Sequence, residues 1–373
     1  MTVSRVLLVG AFGQGNPGDD ALSDAITRSL RRCSVTIATR AHDEQGDAGC
    51  ELIAPSARPV LHELRRADVV VVGGGTVFKR LHPASGRRPN ALLRSTAGLV
   101  AAARARGSSV ALVGVGAGDL AGREAKALAR WIVRHTDLLV LRDEESAAVL
   151  AAAGAPVPFR IGADPAWVLV GAPAPHAIAG GDGRAVTVAI SHLAGDHTLV
   201  ERLAAALEPI AGEHPIHLQP WQVGAGDRDV EIARGLATRL GGAATIVDPP
   251  ADLVAARDGF RDDRLVVAMR FHAVLAAGAA GTPVLAIAHE PKLAGLARRL
   301  GQPAVPPHAS AEVLRHAVRV ALDQPAATAA DVAGEVGQAT VTIELLQLLV
   351  DRGVTAEPAR IVSPPLSSGA SWW

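Results

Sequence analysis

Residues 6–20 read Val6-Leu-Leu-Val9-Gly-Ala-Phe12-Gly13-Gln14-Gly15-Asn16-Pro17-Gly18-Asp19-Asp20. Four apolar residues, a glycine-rich loop and two carboxylates opening a helical pattern from about Asp19 to Arg31 describe a strand, a turn and a helix. A strand that is apolar throughout is buried on both faces, as in a parallel sheet covered by helices. The same unit recurs. Val35–Ala38, Asp68–Val72, Val110–Gly114 and Leu138–Leu141 read as further strands, with helical patterns over 91–106, 122–135 and 144–153. Gly171–Gly183, carrying Pro173 and Pro175, reads as a linker. A second set follows, with strands at Val186–Ile190, Ile216–Leu218, Ala244–Val247, Leu265–Ala268 and Val284–Ile287. Its helices fall near 197–207, 229–240, 272–279, 292–300 and 310–321. The reading is an α/β chain of two Rossmann-like domains with parallel sheets, over 1–170 and 185–325, joined by a linker at 171–184. Residues 326–373 hold one helix near Ala339–Val350 and a tail. Open α/β sheets bind ligands beyond the carboxyl ends of their strands, so the cleft between the domains is the expected site.

Composition narrows the function. The chain has 373 residues, with 37 Lys+Arg against 37 Asp+Glu. A neutral chain is not a general nucleic-acid binder, although a small cationic pocket is compatible with it. Cys33 and Cys50 have neither CxxC spacing nor a matching histidine pattern, which excludes a zinc ribbon and a disulfide scaffold and fits a reducing compartment. No metal is expected. The longest uncharged apolar stretch, Ala273–Ala288, is broken by Gly278, Gly281 and Pro283, so no transmembrane segment is expected.

Five loops carry chemistry. Gly13, Gly15 and Gly18 spell G-x-G-x-x-G, but Pro17 removes a donor and Asp19-Asp20 would repel a pyrophosphate. The acidic ribose ligand about 20 residues on is missing, since the second strand ends Thr39-Arg40. Asp19 is either an N-cap or a cleft carboxylate suited to sugar hydroxyls. Gly73-Gly74-Gly75-Thr76 and Gly114-Val-Gly-Ala-Gly118 are tight turns or close approaches of backbone to a ligand. Arg142-Asp143 ends a strand, and the Arg142 fork suits a carboxylate or phosphate. The strongest set is Met269-Arg270-Phe-His272 with His289-Glu-Pro-Lys292. Adjacent strand ends deliver Arg270, His272 and Lys292 to one rim, an anion site in a neutral protein. His192 follows another strand end and faces the same cleft.

These segments, together with Gly162-Ala-Asp164-Pro, occur in an order and spacing that resembles the polysaccharide pyruvyltransferase family over about residues 5–320. The resemblance implies a GT-B-type arrangement of the two domains. It implies transfer of a pyruvyl group from phosphoenolpyruvate to a sugar, closing a cyclic ketal across two hydroxyls. The acceptor would be a cell-surface glycan or its precursor, free or lipid-linked. Arg142, His272 and Lys292 match positions that hold phosphoenolpyruvate, and the Asn16/Asp19 loop lies on the acceptor side. With Arg270 added to the anion set, the expected acceptor contacts are Phe12, Gln14, Asn16, Asp19 and His192. His272 is the candidate acid and Asp19 the candidate base. Phosphoenolpyruvate is a co-substrate, and no cofactor is expected. The expected location is cytoplasmic, free or peripheral at the inner face of the membrane.

Two other readings share these residues. A GT-B-type glycosyltransferase would bind a nucleoside diphosphate instead. A catalytically degenerate anion- or sugar-binding protein would bind without turnover. A nicotinamide-dependent oxidoreductase ranks last, because its ribose ligand is missing.

Overall fold

The computed structural model describes residues 3–41, 49–83, 86–156, 159–171, 185–191, 198–223 and 228–352. His192 and residues 172–184 of the expected linker lie outside the described residues. The first sheet contains β1 (Ser4–Val9), β2 (Cys33–Ala38), β3 (Glu51–Ile53), β4 (Val69–Gly73), β5 (Thr76–Phe78), β6 (Ser109–Ala117), β7 (Leu138–Leu141) and β8 (Arg160–Ile161). Their order is β3-β2-β1-β4-β6-β7-β8, with β5 pairing beside β6. Between them run α1 (Pro17–Ser29), α2 (Ala57–Glu63), α3 (Ala91–Ala105), α4 (Arg123–Arg134) and α5 (Glu144–Ala152), followed by α6 (Trp167–Val170). The second sheet contains β9 (Ala185–Ile190), β10 (Ile216–Pro220), β11 (Ala244–Ile246), β12 (Asp263–Ala268), β13 (Val284–Ile287) and β14 (Ala304–Val305), in the order β11-β10-β9-β12-β13-β14. Its helices are α7 (Leu199–Ala211), α8 (Arg228–Leu240), α9 (Leu253–Phe260), α10 (Phe271–Ala280), α11 (Pro291–Arg299) and α12 (Ala311–Asp323). The pairs that fix both orders are parallel. The fold is therefore two parallel α/β sheets, as the alternation of patterns implies.

Each sheet reverses its winding beside its first strand, between β1 and β4 and again between β9 and β12. Such switch points open a crevice at the carboxyl ends of the strands. Valine-rich β4 is buried at every position, and β-branched side chains suit that covered, pleated setting. Two glycine segments depart from the turns expected of them. Gly73–Gly75 leads into the short strand β5 rather than a helix, because Thr76 and Phe78 pair with Gly116 and Ala117. Gly114 lies inside β6, where its positive φ of 62° coincides with a shift in the β6–β7 register. Glycine tolerates such a bulge without the steric cost of a Cβ.

Two helices bind the lobes together. Every residue of α10 is buried. Its alanines and single glycine permit close approach: a Cβ on Gly278 would fall 2.8 Å from Leu300 Cδ1 of its own lobe and 3.7 Å from the Trp167 ring of the other. Helix α13 (Ala329–Arg352) returns to the first sheet. Ser4 Oγ donates to the Val350 carbonyl at 3.0 Å, and Gln347 bonds both the N–H and the carbonyl of Arg31. This helix begins ten residues before the expected Ala339. Thr328 and Asp331 exchange backbone and side-chain bonds in a reciprocal cap that starts it.

Asp263, buried at the start of β12, has an Oδ2 atom without a hydrogen-bond partner among the described residues. Burial raises its pKa from 3.8 to about 7, with a hydrogen bond from Thr187 opposing and Asp262 adding to the rise. Between those values the folded chain holds a proton that the unfolded chain has lost. The associated stabilisation is present at the acid end and is lost as pH rises through about 7. Asp263→Asn should therefore raise the thermal midpoint by several degrees at pH 8 and leave it nearly unchanged at about pH 3.5, below the unfolded value. An equal shift at both pH values would rule out this titration.

Candidate anion-binding cleft between the sheets

Arg142 follows the last residue of β7, and the next residue, in extended backbone, caps a helix: Asp143 Oδ1 accepts the Ser146 N–H at 2.6 Å. The Arg142 side chain is only 2% exposed. Its Nη1 donates to Asp164 Oδ2 at 3.1 Å and its Nη2 to Thr76 Oγ1 at 3.1 Å. The guanidinium lies 4.5 Å from the centroid of the Phe271 ring, a cation–π contact. Its Nε has no hydrogen-bond partner among the described residues. At Gly116 a Cβ would come within 3.1 Å of the guanidinium, so glycine leaves it room.

Asp164, after β8, is the buried counter-ion. Its Oδ1 accepts the Ala166 N–H at 3.1 Å, and its Oδ2 also lies 3.7 Å from His272 Nε2. Burial by itself would raise its pKa, but His272, Arg142 and the Ala166 N–H outweigh that and hold it below the usual range. His272 is the second residue of α10, and its ring stands edge-on to Phe271. It packs on Gly18 of α1, where a Cβ would fall 2.2 Å from Nδ1. The glycine spelled in the first loop is therefore required by an imidazole from the opposite lobe.

Lys292, the second residue of α11, donates to Thr76 Oγ1 at 3.1 Å and pairs with Glu290. Thr76 thus receives one N–H from each lobe. Burial and then the nearby Arg142 lower the Lys292 pKa to about 8, against the pull of Glu290. Burial opposes the ionisation of Glu290, but Lys292 and Lys79 prevail and lower it to about 2. Lys79 Nζ lies 3.7 Å from Glu290 on its other side. Arg270 reaches Asp229 Oδ2 at 2.5 Å, and its Nε has no hydrogen-bond partner among the described residues. Burial, together with Lys292 and Arg270, outweighs Glu290 and lowers the His289 pKa.

The loop after β1 is arranged differently from expectation. Asn16, not Asp19, is the N-cap of α1: its side chain accepts the Gly18 N–H. Asn16 Nδ2 donates to Asp19 Oδ2 at 2.9 Å, and Asp20 Oδ1 accepts the Gly13 N–H at 2.6 Å. Gln14 is exposed. Phe12 is 2% exposed and belongs to the hydrophobic core, its ring lying where Gly10 would carry a Cβ, so it does not face a sugar. The loop touches the other lobe through the Val223 N–H, which donates to the Gly15 carbonyl at 3.0 Å.

The structure thus gathers Arg142, His272, Lys292 and Thr76 at the facing carboxyl ends of both sheets. Arg270 stands beside them at the end of β12, and the Asn16/Asp19 turn adjoins His272 through Gly18. Sequence reasoning missed Asp164 as the residue that joins Arg142 to His272. Its signal was its place after a strand and before Pro165, where a carboxylate caps a turn. Lys79, Lys292 and Arg142 are matched by Glu290, Asp164 and Asp143, whose Oδ2 lies 3.6 Å from Arg142 Nε, so an incoming anion would compete with these carboxylates for the same cations. Among the described residues no group of three or more His, Cys, Asp or Glu is placed to hold a metal ion. No described helix is long and apolar enough to cross a membrane.

The fold is similar to several solved structures. Against Anabaena HepE in complex with UDP-glucose, the TM-score is 0.58 at 14% identity, covering 94% of this chain and 99% of that one. Against UDP-GlcNAc 2-epimerase from Neisseria meningitidis bound to UDP-GlcNAc, it is 0.63 at 9% identity, over 92% and 99%. Against Acinetobacter baumannii MurG it is 0.54 at 16% identity, over 92% and 99%. These likenesses establish a two-lobed GT-B-like fold. No curated protein matches the sequence. The model of the polysaccharide pyruvyl transferase family matches residues 16–291, most of the chain, and on that match the chain belongs to this family of transferases.

Proposed function

We propose that the cleft binds phosphoenolpyruvate and transfers its pyruvyl group to two hydroxyls of a sugar, in a cell-surface glycan or its precursor. The observation that carries this reading is the sharing of Thr76 by Arg142 and Lys292, two cations from opposite lobes that both converge on one hydroxyl. A small ligand with a carboxylate and a phosphate on one frame suits such a pair. The planar guanidinium fork matches one oxyanion, and the ammonium acts as a point charge on the other. Arg270 extends the same positive rim.

In the proposed reaction His272 protonates the methylene carbon, giving a methyl group and an oxocarbenium-like C2. A sugar hydroxyl attacks C2 and loses its proton, with Asp19 as the proposed base. The C2–O bond to phosphate then breaks, and its electron pair leaves with the phosphate beside Arg142, Arg270 and Lys292. The second hydroxyl adds to C2, loses its proton and closes the ketal. Asp164 holds His272 and Arg142 in register. Asn16 and Asp19 are the proposed acceptor contacts, with Gln14 and His192 completing that side. No cofactor is needed. The chain would act on the cytoplasmic side, where phosphoenolpyruvate is available.

A second reading, a GT-B-type glycosyltransferase using a nucleotide sugar, is favoured by the UDP-sugar complexes among the structural neighbours. Calorimetry separates the two. Saturable binding of phosphoenolpyruvate, not displaced by UDP and weakened at least tenfold by Lys292→Ala, supports the first; binding of UDP alone supports the second. Binding of phosphoenolpyruvate without ketal formation on any acceptor tried would instead fit a degenerate site.

Two further outcomes follow from the site. Lys292 carries its charge below about pH 8, and the anion binds the charged form. The dissociation constant should therefore rise above that pH, by up to about tenfold per unit, and Lys292→Ala should flatten the profile. His272→Ala should lower kcat about 10²- to 10⁴-fold while phosphoenolpyruvate still binds. Full turnover by that variant would remove His272 from the chemistry.

A further inference from the structure

The cleft leaves a second cationic feature unexplained. Between Gly86 and Asp137 the sequence holds nine Lys+Arg and three Asp+Glu, although the whole chain is neutral. The three carboxylates are already engaged: Glu124 by Arg94 and Asn90, Asp137 by Arg104, and Asp119 by Arg80. The segment is one physical surface, because α3 and α4 pack side by side over the first sheet. On α4 the residues Arg123, Lys126, Arg130 and Arg134 recur at three- and four-residue spacing and form one stripe along the outer side. The opposite side of α4, with Ala125, Ala129 and Ile132, is buried.

An aromatic group adjoins the stripe. Trp131 is half-buried and stacks on His135, with ring centroids 4.1 Å apart. Ala127, Arg130, Trp131, Arg134, His135 and Gly154 line an open recess of about 380 Å³. An indole between guanidinium groups, at the outer edge of a basic amphipathic helix, is the arrangement that anchors proteins at the headgroup level of a bilayer. The stripe also has a direction. Helix α4 follows the carboxyl end of β6 and runs back along the sheet, so Arg123 stands at the cleft side and Arg134 at the far side. Arg87 and Arg88, exposed just before α3, add to the charge at the cleft side.

We propose that the outer face of α3 and α4 docks on an anionic phospholipid bilayer, with Trp131 at the interface and the mouth of the cleft held beside the membrane. The attraction requires only a negative surface and is independent of the donor that the cleft binds. Each basic side chain near such a surface contributes roughly fivefold in binding. A stripe of four therefore decides between bound and free, and the rest of the neutral chain offsets none of it beyond a Debye length of about 8 Å.

The test is co-sedimentation of the full chain with vesicles of phosphatidylcholine, with and without about 30% phosphatidylglycerol. We expect binding only to the vesicles that contain phosphatidylglycerol, reversed by 0.5 M salt. The combined variant Arg123→Gln, Lys126→Gln, Arg130→Gln and Arg134→Gln should weaken it at least about a hundredfold with the melting midpoint unchanged. If that variant is less stable, the pair Arg123→Gln and Arg134→Gln, both exposed, should still weaken it more than tenfold. Trp131→Ala should weaken it severalfold. Equal binding to neutral vesicles, no binding to either kind, undiminished binding by the variants, or a preference for duplex DNA over the vesicles would each overturn the proposal. Loss of phosphoenolpyruvate binding would leave it standing.

Discussion

Burying a guanidinium is the constraint on which the cleft depends. Arg142 is almost wholly removed from water, and such a charge costs several kcal/mol unless it is paired and hydrogen-bonded. Asp164 supplies the pairing, and one of its oxygens also lies near His272 from the other lobe. Thr76 then passes the interaction to Lys292, and Glu290 to Lys79. The result is a line of alternating charge across the lobes. Its cations hold one another's counter-ions in place, and Asp143 adds a second buried carboxylate 3.6 Å from Arg142 Nε.

Structural neighbours with the same two lobes bind UDP-sugars, so the fold alone does not decide the ligand. The side chains at the strand ends decide it. A neutral chain can still bring cations from both lobes to one spot, because carboxylates beside them balance their charge. Net charge therefore argues about long-range fields and says little about a desolvated pocket.

The long apolar strands were legible in the sequence because burial on both faces leaves an unbroken run, as in Val69-Val-Val-Val72. The short elements were not. Residues 51–53, 160–161 and 304–305 form strands of two or three residues, too short for any period to register. At the site, strand-end position was enough to bring Arg142, Arg270, His272 and Lys292 toward one cleft. It could not reveal the direction of a side chain. Phe12 follows the same strand end and yet turns into the core, because Gly10 and Gly73 leave space beneath it. Gly18 showed the converse. It spelled a phosphate fingerprint, but the partner that requires it lies 254 residues away in the sequence, at His272. The cap formed by Thr328 and Asp331 was present in the sequence as T-x-x-D and marks the true start of the last helix.

That last helix bears on how the chain reaches its fold. Helix α13 covers β1, β6 and β7, and the hydroxyl of Ser4 closes on the carbonyl of Val350, 346 residues on. During synthesis the first lobe emerges early but lacks the apolar cover that Ile343, Leu346 and Leu349 provide. Its sheet has to wait, incompletely packed, while the second lobe is made. Contacts of such separation slow folding and extend the interval in which apolar surface is exposed. The first lobe and α13 are therefore one cooperative unit in assembly, although the whole second lobe lies between them in the sequence. A ribosome stalled before α13 would hold a first lobe that cannot complete its core.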